Sequence, residues 1–173
     1  TEKKENLLDI LRFIATTDTY LSIAKLFKQG NFSFPEYDNK SLTPNIEAKD
    51  IWYPILKDKV VGNSIIIGKN TPLNVLITGP NAGGKSTIIK SIGISLLTSQ
   101  TLGIAFADTL QFTPFHVLNS YLNIPDCKGK ESLFEAEMHR SRNYLNKLKD
   151  LDENEFTFIV MDEIFSSTNP EEG

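Results

Sequence analysis

The sequence predicts an α/β fold, a mainly parallel sheet with flanking helices, and three observations carry that prediction. An apolar run at residues 73–78 (LNVLIT) feeds a glycine-rich loop and then a helix-forming stretch. A second unbroken apolar run, at residues 156–161, ends in two adjacent acids. Runs of that kind are the pattern of parallel strands buried on both faces. Other segments repeat apolar residues at three- and four-residue steps, the spacing of one helix face.

Taken in order, residues 5–28 read as a helix. Leu7, Leu11, Ile14, Asp18 and Leu21 fall on one face, and Gly30 stands where a C-cap belongs. Asp18 is the anomaly on that face: either it lies at the edge of the stripe in water, or it is buried and paired with a neighbouring element. Residues 31–45 read as loop, with Pro35, Pro44 and several polar turn residues. Residues 46–56 read as extended, since Tyr53 precedes a proline and is biased away from the helix. Residues 60–67 read as a turn feeding a strand, 68–72 as a turn, and 73–78 as a second, buried strand, so that 60–78 is expected to form an antiparallel hairpin. A helix is expected over 85–97, two short strands within 103–125, and a polar stretch over 126–131. A further helix is expected over 132–148, with Phe134, Met138, Leu145 and Leu148 near one face. Residues 156–161 complete the set as a parallel strand.

Composition narrows the function classes. The 173 residues suffice for one sizeable core. A net charge of −4 argues against this segment being a main DNA-gripping surface, which is usually basic. No apolar run approaches the roughly 18 residues of a membrane span, so no membrane association is expected. The charged first residues do not resemble a signal peptide. Cys127 is the only cysteine, which excludes an internal disulfide and zinc-ligand spacing. A soluble protein of a reducing, intracellular compartment is the simplest reading, with cytoplasm and nucleus undecided. Because the chain lacks an initiator Met, it is expected to be a piece of a longer parent protein.

Residues 79–86 (GPNAGGKS) fit G-x-x-x-x-G-K-[ST] without a mismatch. Gly79, Pro80, Asn81, Ala82, Gly83 and Gly84 would curl so that successive backbone N–H groups point at phosphate oxygens, and the following helix start adds partial positive charge. Lys85 would place its charge on the β- and γ-phosphates, and the Ser86 hydroxyl would ligate Mg²⁺, with Thr87 next in the helix. The cofactors implied are ATP or ADP and Mg²⁺. Asn81 either bonds water or the γ-phosphate, or serves only the turn.

Asp162 and Glu163 end the second apolar run, 77 residues beyond Lys85. In parallel α/β sheets ligands bind beyond the carboxyl ends of the strands. Asp162 would therefore hold Mg²⁺, directly or through water, and Glu163 would act as general base on the attacking water. A glutamate there favours water as the nucleophile, hence hydrolysis over transfer.

These residues resemble the MutS mismatch-repair family. Residues 78–87 read TGPNAGGKST, against the family's T-G-P-N-x-G-G-K-S-T. Residues 162–168 read DEIFSST against D-E-I/L-x-x-G-T, with Ser167 in place of the usual glycine. Residues 132–138 (SLFEAEM) match the family's S/T-x-F-x-x-E-M. Upstream, residues 14–18 resemble the end of the family's lever helix, while 52–54 and 61–63 resemble segments flanking its nucleotide site. The middle block, 103–130, fits poorly. The resemblance implies an ABC-like P-loop ATPase fold cut short after the acidic (Walker B) strand, with residues 1–30 belonging to a preceding lever or clamp domain and 31–173 to the ATPase domain. It implies a homo- or heterodimer with a second MutS-type subunit, in which Ser132 faces the other subunit's nucleotide. Locally, Ser132 and Glu135 also form a capping box.

Tyr53 or Trp52 could stack on adenine, or be buried aromatics beside Pro54. Asn63 could contact the base. His139 reads as solvated and His116 as structural. Only 11 residues follow Asp162, so further strands, the family's late histidine and its helical dimerisation element are expected to lie outside the chain. DNA would be held mainly by other domains. The implied function is nucleotide switching of a DNA clamp in mismatch repair. Its rivals are a relative acting in recombination or on branched DNA without mismatch reading, a P-loop kinase, and a non-hydrolysing nucleotide sensor.

Overall fold

The computed structural model describes residues 2–30, 32–56, 61–122 and 133–163. In chain order the elements are α1 (Glu2–Gln29), β1 (Glu36–Tyr37), β2 (Ile46–Ile51), β3 (Asn63–Ile67), α2 (Lys85–Leu102), β4 (Thr109–Phe112), β5 (Val117–Tyr121), α3 (Leu133–Lys149) and β6 (Thr157–Met161). The three helices stand where their periodicity puts them.

The sheets depart from the expectation. Among the described residues there is no single, mainly parallel sheet. A four-stranded mixed sheet has the order β1-β4-β2-β3, and a separate parallel pair joins β5 to β6. β2 is the hub of the first. It pairs antiparallel with both β3 and β4, and only the two-residue β1 adds a parallel edge. Ile46, Ala48 and Ile51 are buried while Glu47 and Lys49 face out, the alternation of an antiparallel strand with one face on the core. The step from Ala48 to Ile51 costs the register one residue, and Asp50 takes a φ of +50° at that irregularity.

The hairpin expected over 60–78 does not form. β3 pairs instead with β2, upstream of it. Residues 74–80 belong to no strand, and Leu73, Val75 and Leu76 are exposed. The run is apolar enough for a strand, but a strand persists only where its N–H and C=O groups find a ladder partner, and none is assigned to this run. Residues 31–45, read as loop, contribute β1 and a bridge between Ser33 and Ala105.

The core lies between the inner face of the mixed sheet and α2. Ile46, Ala48, Ile51, Leu110 and Phe112 meet Ile92 and Leu96 of the helix, with Ala105, Ala107 and Phe115 closing the sides. Phe158 of β6 packs against this cluster, so the parallel pair shares the same core. α1 touches the rest near its end, where Phe27 stacks on Phe34 at 5.0 Å, but Leu7, Leu11, Ile14 and Leu21 are all exposed, and Asp18 is exposed with them. Of the two readings of Asp18, the solvated one holds.

Candidate functional site

The glycine-rich loop joins α2 through Gly84, whose φ of +85° is a left-handed value open to glycine at no steric cost. A side chain does not cap α2, and its first turn carries no acid. The first N–H groups are thus left facing the loop, the arrangement that suits an anion. Inside the loop, the Gly83 N–H donates to Pro80 O at 3.1 Å. A Cβ at Gly83 would lie 2.9 Å from that carbonyl, so the turn closes only around glycine. The Lys85 ammonium folds back over the loop and donates to Gly79 O and Pro80 O, both at 2.9 Å. Gly79, Pro80, Asn81, Ala82, Gly83 and Gly84 are exposed, and Lys85, Ser86 and Thr87 half-buried. Ala82 takes a φ of +61°.

Two contacts fix the direction of α2. Near its carboxyl end, Gln100 exchanges hydrogen bonds with the backbone of Phe115, just before β5. Further towards its start, a Cβ on Gly93 would lie 3.8 Å from Val160 of β6. Register pairs Val117 with Thr157 and Tyr121 with Met161. The helix therefore runs antiparallel to β5 and β6, and its start points to their carboxyl ends. From the Gly93–Val160 contact, Lys85 lies about 12 Å further along the helix and Asp162 about 7 Å further along the strand, towards the same end. The phosphate-type loop and the two acids thus share one end of the parallel pair.

α3 runs the same way. Tyr144 hydroxyl sits 3.1 Å from Thr157 Oγ1, at the start of β6. Earlier in the helix, Glu137 and Arg140 lie near enough for their charges to bear on the Tyr121 hydroxyl, at the end of β5. The start of α3 is therefore also at the acidic end. Ser132 lies outside the described residues, as do its capping box and the tail of the DEIFSST stretch beyond Glu163.

At the acidic end itself, the Asp162 N–H donates to Tyr121 O at 3.0 Å and Asp162 is half-buried. Glu163 is exposed and takes a φ of +49°. A side chain in that region costs about 1 kcal/mol or more, and residues so held cluster at functional sites. Tyr121 is a participant that the sequence did not flag. Burial raises its hydroxyl pKa, Glu137's charge adds to the rise, and Ser141 and Arg140 oppose it. Glu137 was visible only as a letter of the SLFEAEM stretch.

The remaining candidates are less central. Trp52 packs edge-on to Phe106 and tilted against Phe32, and its backbone N–H donates to the Phe106 carbonyl. Trp52 itself is half-buried. Tyr53 is half-buried, and Asn63 opens β3 opposite Ile51 with its amide donating to Val61 O at 3.3 Å. These two share one end of the β2–β3 pair. His139 is exposed. His116 is exposed too, 3.8 Å from Glu155 at the amino end of β5, away from the acids. Among the described residues no group of three or more His, Cys, Asp or Glu could hold a metal alone. No described helix is long and apolar enough to cross a membrane.

The sequence model of MutS domain V matches residues 75–173, from just before the loop through both acids. The chain belongs to the MutS family. An Endonuclease MutS2 of Staphylococcus epidermidis is 34 % identical over 130 residues, covering 74 % of this chain and 16 % of that protein. An Endonuclease MutS2 of a Geobacillus species is 28 % identical over 174 residues, covering 99 % of this chain and 21 % of that protein. One of Leuconostoc mesenteroides is 30 % identical over 135 residues, 77 % of this chain and 16 % of its own. This MutS-family chain thus spans about a sixth to a fifth of the curated relatives it matches.

Proposed function

We propose that this MutS-family chain is the part of a longer protein that binds and hydrolyses ATP, and that the hydrolysis switches a clamp on DNA. The observation that supports the reading is that the start of α2 with its loop and the two acids lie towards the same end of the β5–β6 pair. The backbone N–H groups of residues 79–84 would wrap the phosphates, and Lys85 would exchange its two loop carbonyls for β- and γ-phosphate oxygens. A magnesium ion suits this site better than a metal held by protein alone. Magnesium takes one or two carboxylates with substrate phosphates and water, and Ser86 and Asp162 supply hard oxygens. Bound there, it would neutralise charge on the phosphates. Glu163, fixed by its strained backbone, would orient water and take its proton. Ser132, the residue before Leu133 in the sequence, would face the nucleotide of a second MutS-type subunit, making each site composite. Tyr53 and Asn63 would lie on the adenine side. DNA would be held chiefly by other domains, in keeping with the net charge of −4.

The relatives bear the name Endonuclease MutS2. That favours a second reading within the same family, in which the switch serves recombination or branched DNA rather than mismatch recognition. Affinity of the full-length parent for mismatched against branched duplexes, with and without ATP, separates the two.

Hydrolysis itself is tested by phosphate release from ATP with and without candidate acceptors, alongside calorimetry. Phosphate release independent of acceptor is expected. Lys85→Ala is expected to abolish nucleotide binding nearly completely. Acceptor-dependent turnover would mark a kinase, and unchanged affinity in Lys85→Ala would refute the site.

A further inference from the structure

α2 is referred to β6, the strand that leads to the two acids, at two places. At Gly93 the helix backbone comes so close that an added Cβ would lie 3.8 Å from Val160. About two turns further on, Gln100 donates from Nε2 to Phe115 O at 2.8 Å and accepts the Phe115 N–H on Oε1 at 2.9 Å. One side chain so makes both bonds of a strand partner. Phe115 is 5 % exposed. Its ring centre lies 5.5 Å from that of Phe158 in β6, and it stacks on Phe112 of β4. Phe158 and Val160 are two residues apart on β6, hence on one face. The approach at Gly93 and the path from Gln100 through Phe115 therefore fix the tilt of α2 against a single strand. A helix held at one point can pivot; held at two it cannot.

We propose that Gln100 is a positioning residue for hydrolysis: by locking the tilt of α2 it sets the distance between the loop and the acids beyond β6. The proposal rests on the reading above, in which the loop holds the phosphates and Glu163 the attacking water. Along the helix axis Gly93 lies about 12 Å from Lys85 and about 10 Å from Gln100. With Gly93 as fulcrum the two arms are nearly equal, so about 1 Å of freedom at Gln100 becomes about 1 Å at Lys85, in the opposite sense. A misplacement of about that size, caused far from the chemistry, can cost about 10²-fold in rate. The loop itself would travel intact, because the bonds of Lys85 to Gly79 O and Pro80 O and the Gly83–Pro80 turn all lie within it.

The test uses the full-length parent and Gln100→Met, which keeps the side-chain length and loses both hydrogen bonds. ATP turnover should show kcat falling about tenfold to a hundredfold. KM, and ADP affinity measured by calorimetry without metal, should stay within about twofold, the pattern of an interaction made in the transition state. A second variant separates position from stability. Gly93→Ala puts a better helix former inside α2 and a Cβ at ordinary contact distance from Val160. Combined with Gln100→Met, it offsets lost stability without remaking the bonds to Phe115, so the kcat loss should persist while the thermal midpoint recovers. An unchanged kcat in Gln100→Met would overturn the proposal. So would a kcat loss cured by Gly93→Ala, or one matched by an equal fall in ADP affinity, since the defect would then be a general loss of structure. An unsubstituted parent that does not hydrolyse ATP would instead remove the ATPase reading, and the role of Gln100 with it.

Discussion

Two leucines of identical chemistry test whether residues 73–78 are a strand. Leu96 of α2 is fully buried, in the cluster with Ile92, Ile46 and Phe112, whereas Leu76 is 90 % exposed. Truncating Leu96 to alanine removes buried methyl groups and leaves a cavity, a loss of about 2–5 kcal/mol. The same change at Leu76 removes groups already in water and should cost less than about 0.5 kcal/mol. Urea unfolding of the 173-residue chain, followed by circular dichroism, reads both. With a denaturant slope of about 2 kcal/mol/M, Leu96→Ala should lower the midpoint by about 1 M or more, and Leu76→Ala by no more than about 0.25 M. Equal shifts for the two variants would refute the reasoning. Residues 73–78 would then be the buried strand that their apolarity suggests. The consequence reaches the site, because this segment leads into the loop. If it is unpaired, the entry to the loop is held by the contacts of Lys85 with Gly79 O and Pro80 O and by the Gly83–Pro80 turn.

Three further outcomes are expected. Glu163→Gln in the full-length parent should retain Mg²⁺·ATP while slowing hydrolysis by roughly 10²–10⁴-fold, the usual loss with a general base; single-turnover kinetics at the normal rate would exclude that role. Gly84→Val places a β-branched residue at φ +85°, where its Cβ meets nothing within 4 Å, so any loss is backbone strain of about 1–2 kcal/mol. Thermal unfolding and ADP titration should both worsen, and Gly84→Asn should do better than valine. The Asp38 carboxyl is held below its ordinary value of 3.8, first by the Asn45 side-chain amide and then by the N–H groups of Lys40 and Ser41. A lowered pKa contributes stability that is present above the ordinary value and lost as pH falls through the lowered one. The stability gap between the unsubstituted chain and Asp38→Asn should therefore be wider at neutral pH than in acid below 3.8, and a gap independent of pH would disprove the assignment.

What the sequence determined by itself is local. Residues 79–87 announce their loop because glycine sterics and a helix start are decided within a few residues, and the Gly84 φ of +85° is the outcome. The helices follow from periodicity, and 157–161 from an apolar run closed by Asp162 and Glu163. The resemblance to the MutS family, carried by those same residues, agrees with the match over 75–173. Tertiary structure decided which strands meet. Residues 46–51 pair with segments 12 or more residues away on one side and 60 or more on the other, and no pattern within 46–51 names those partners. An equally apolar run, 73–78, lies in no ladder. Tyr121 carries no motif, yet its carbonyl accepts the Asp162 N–H. A loop or a helix face is set by steric and hydrophobic forces along neighbouring residues, whereas a ladder or a buried pair exists only when distant segments supply the missing hydrogen bonds and remove the same water.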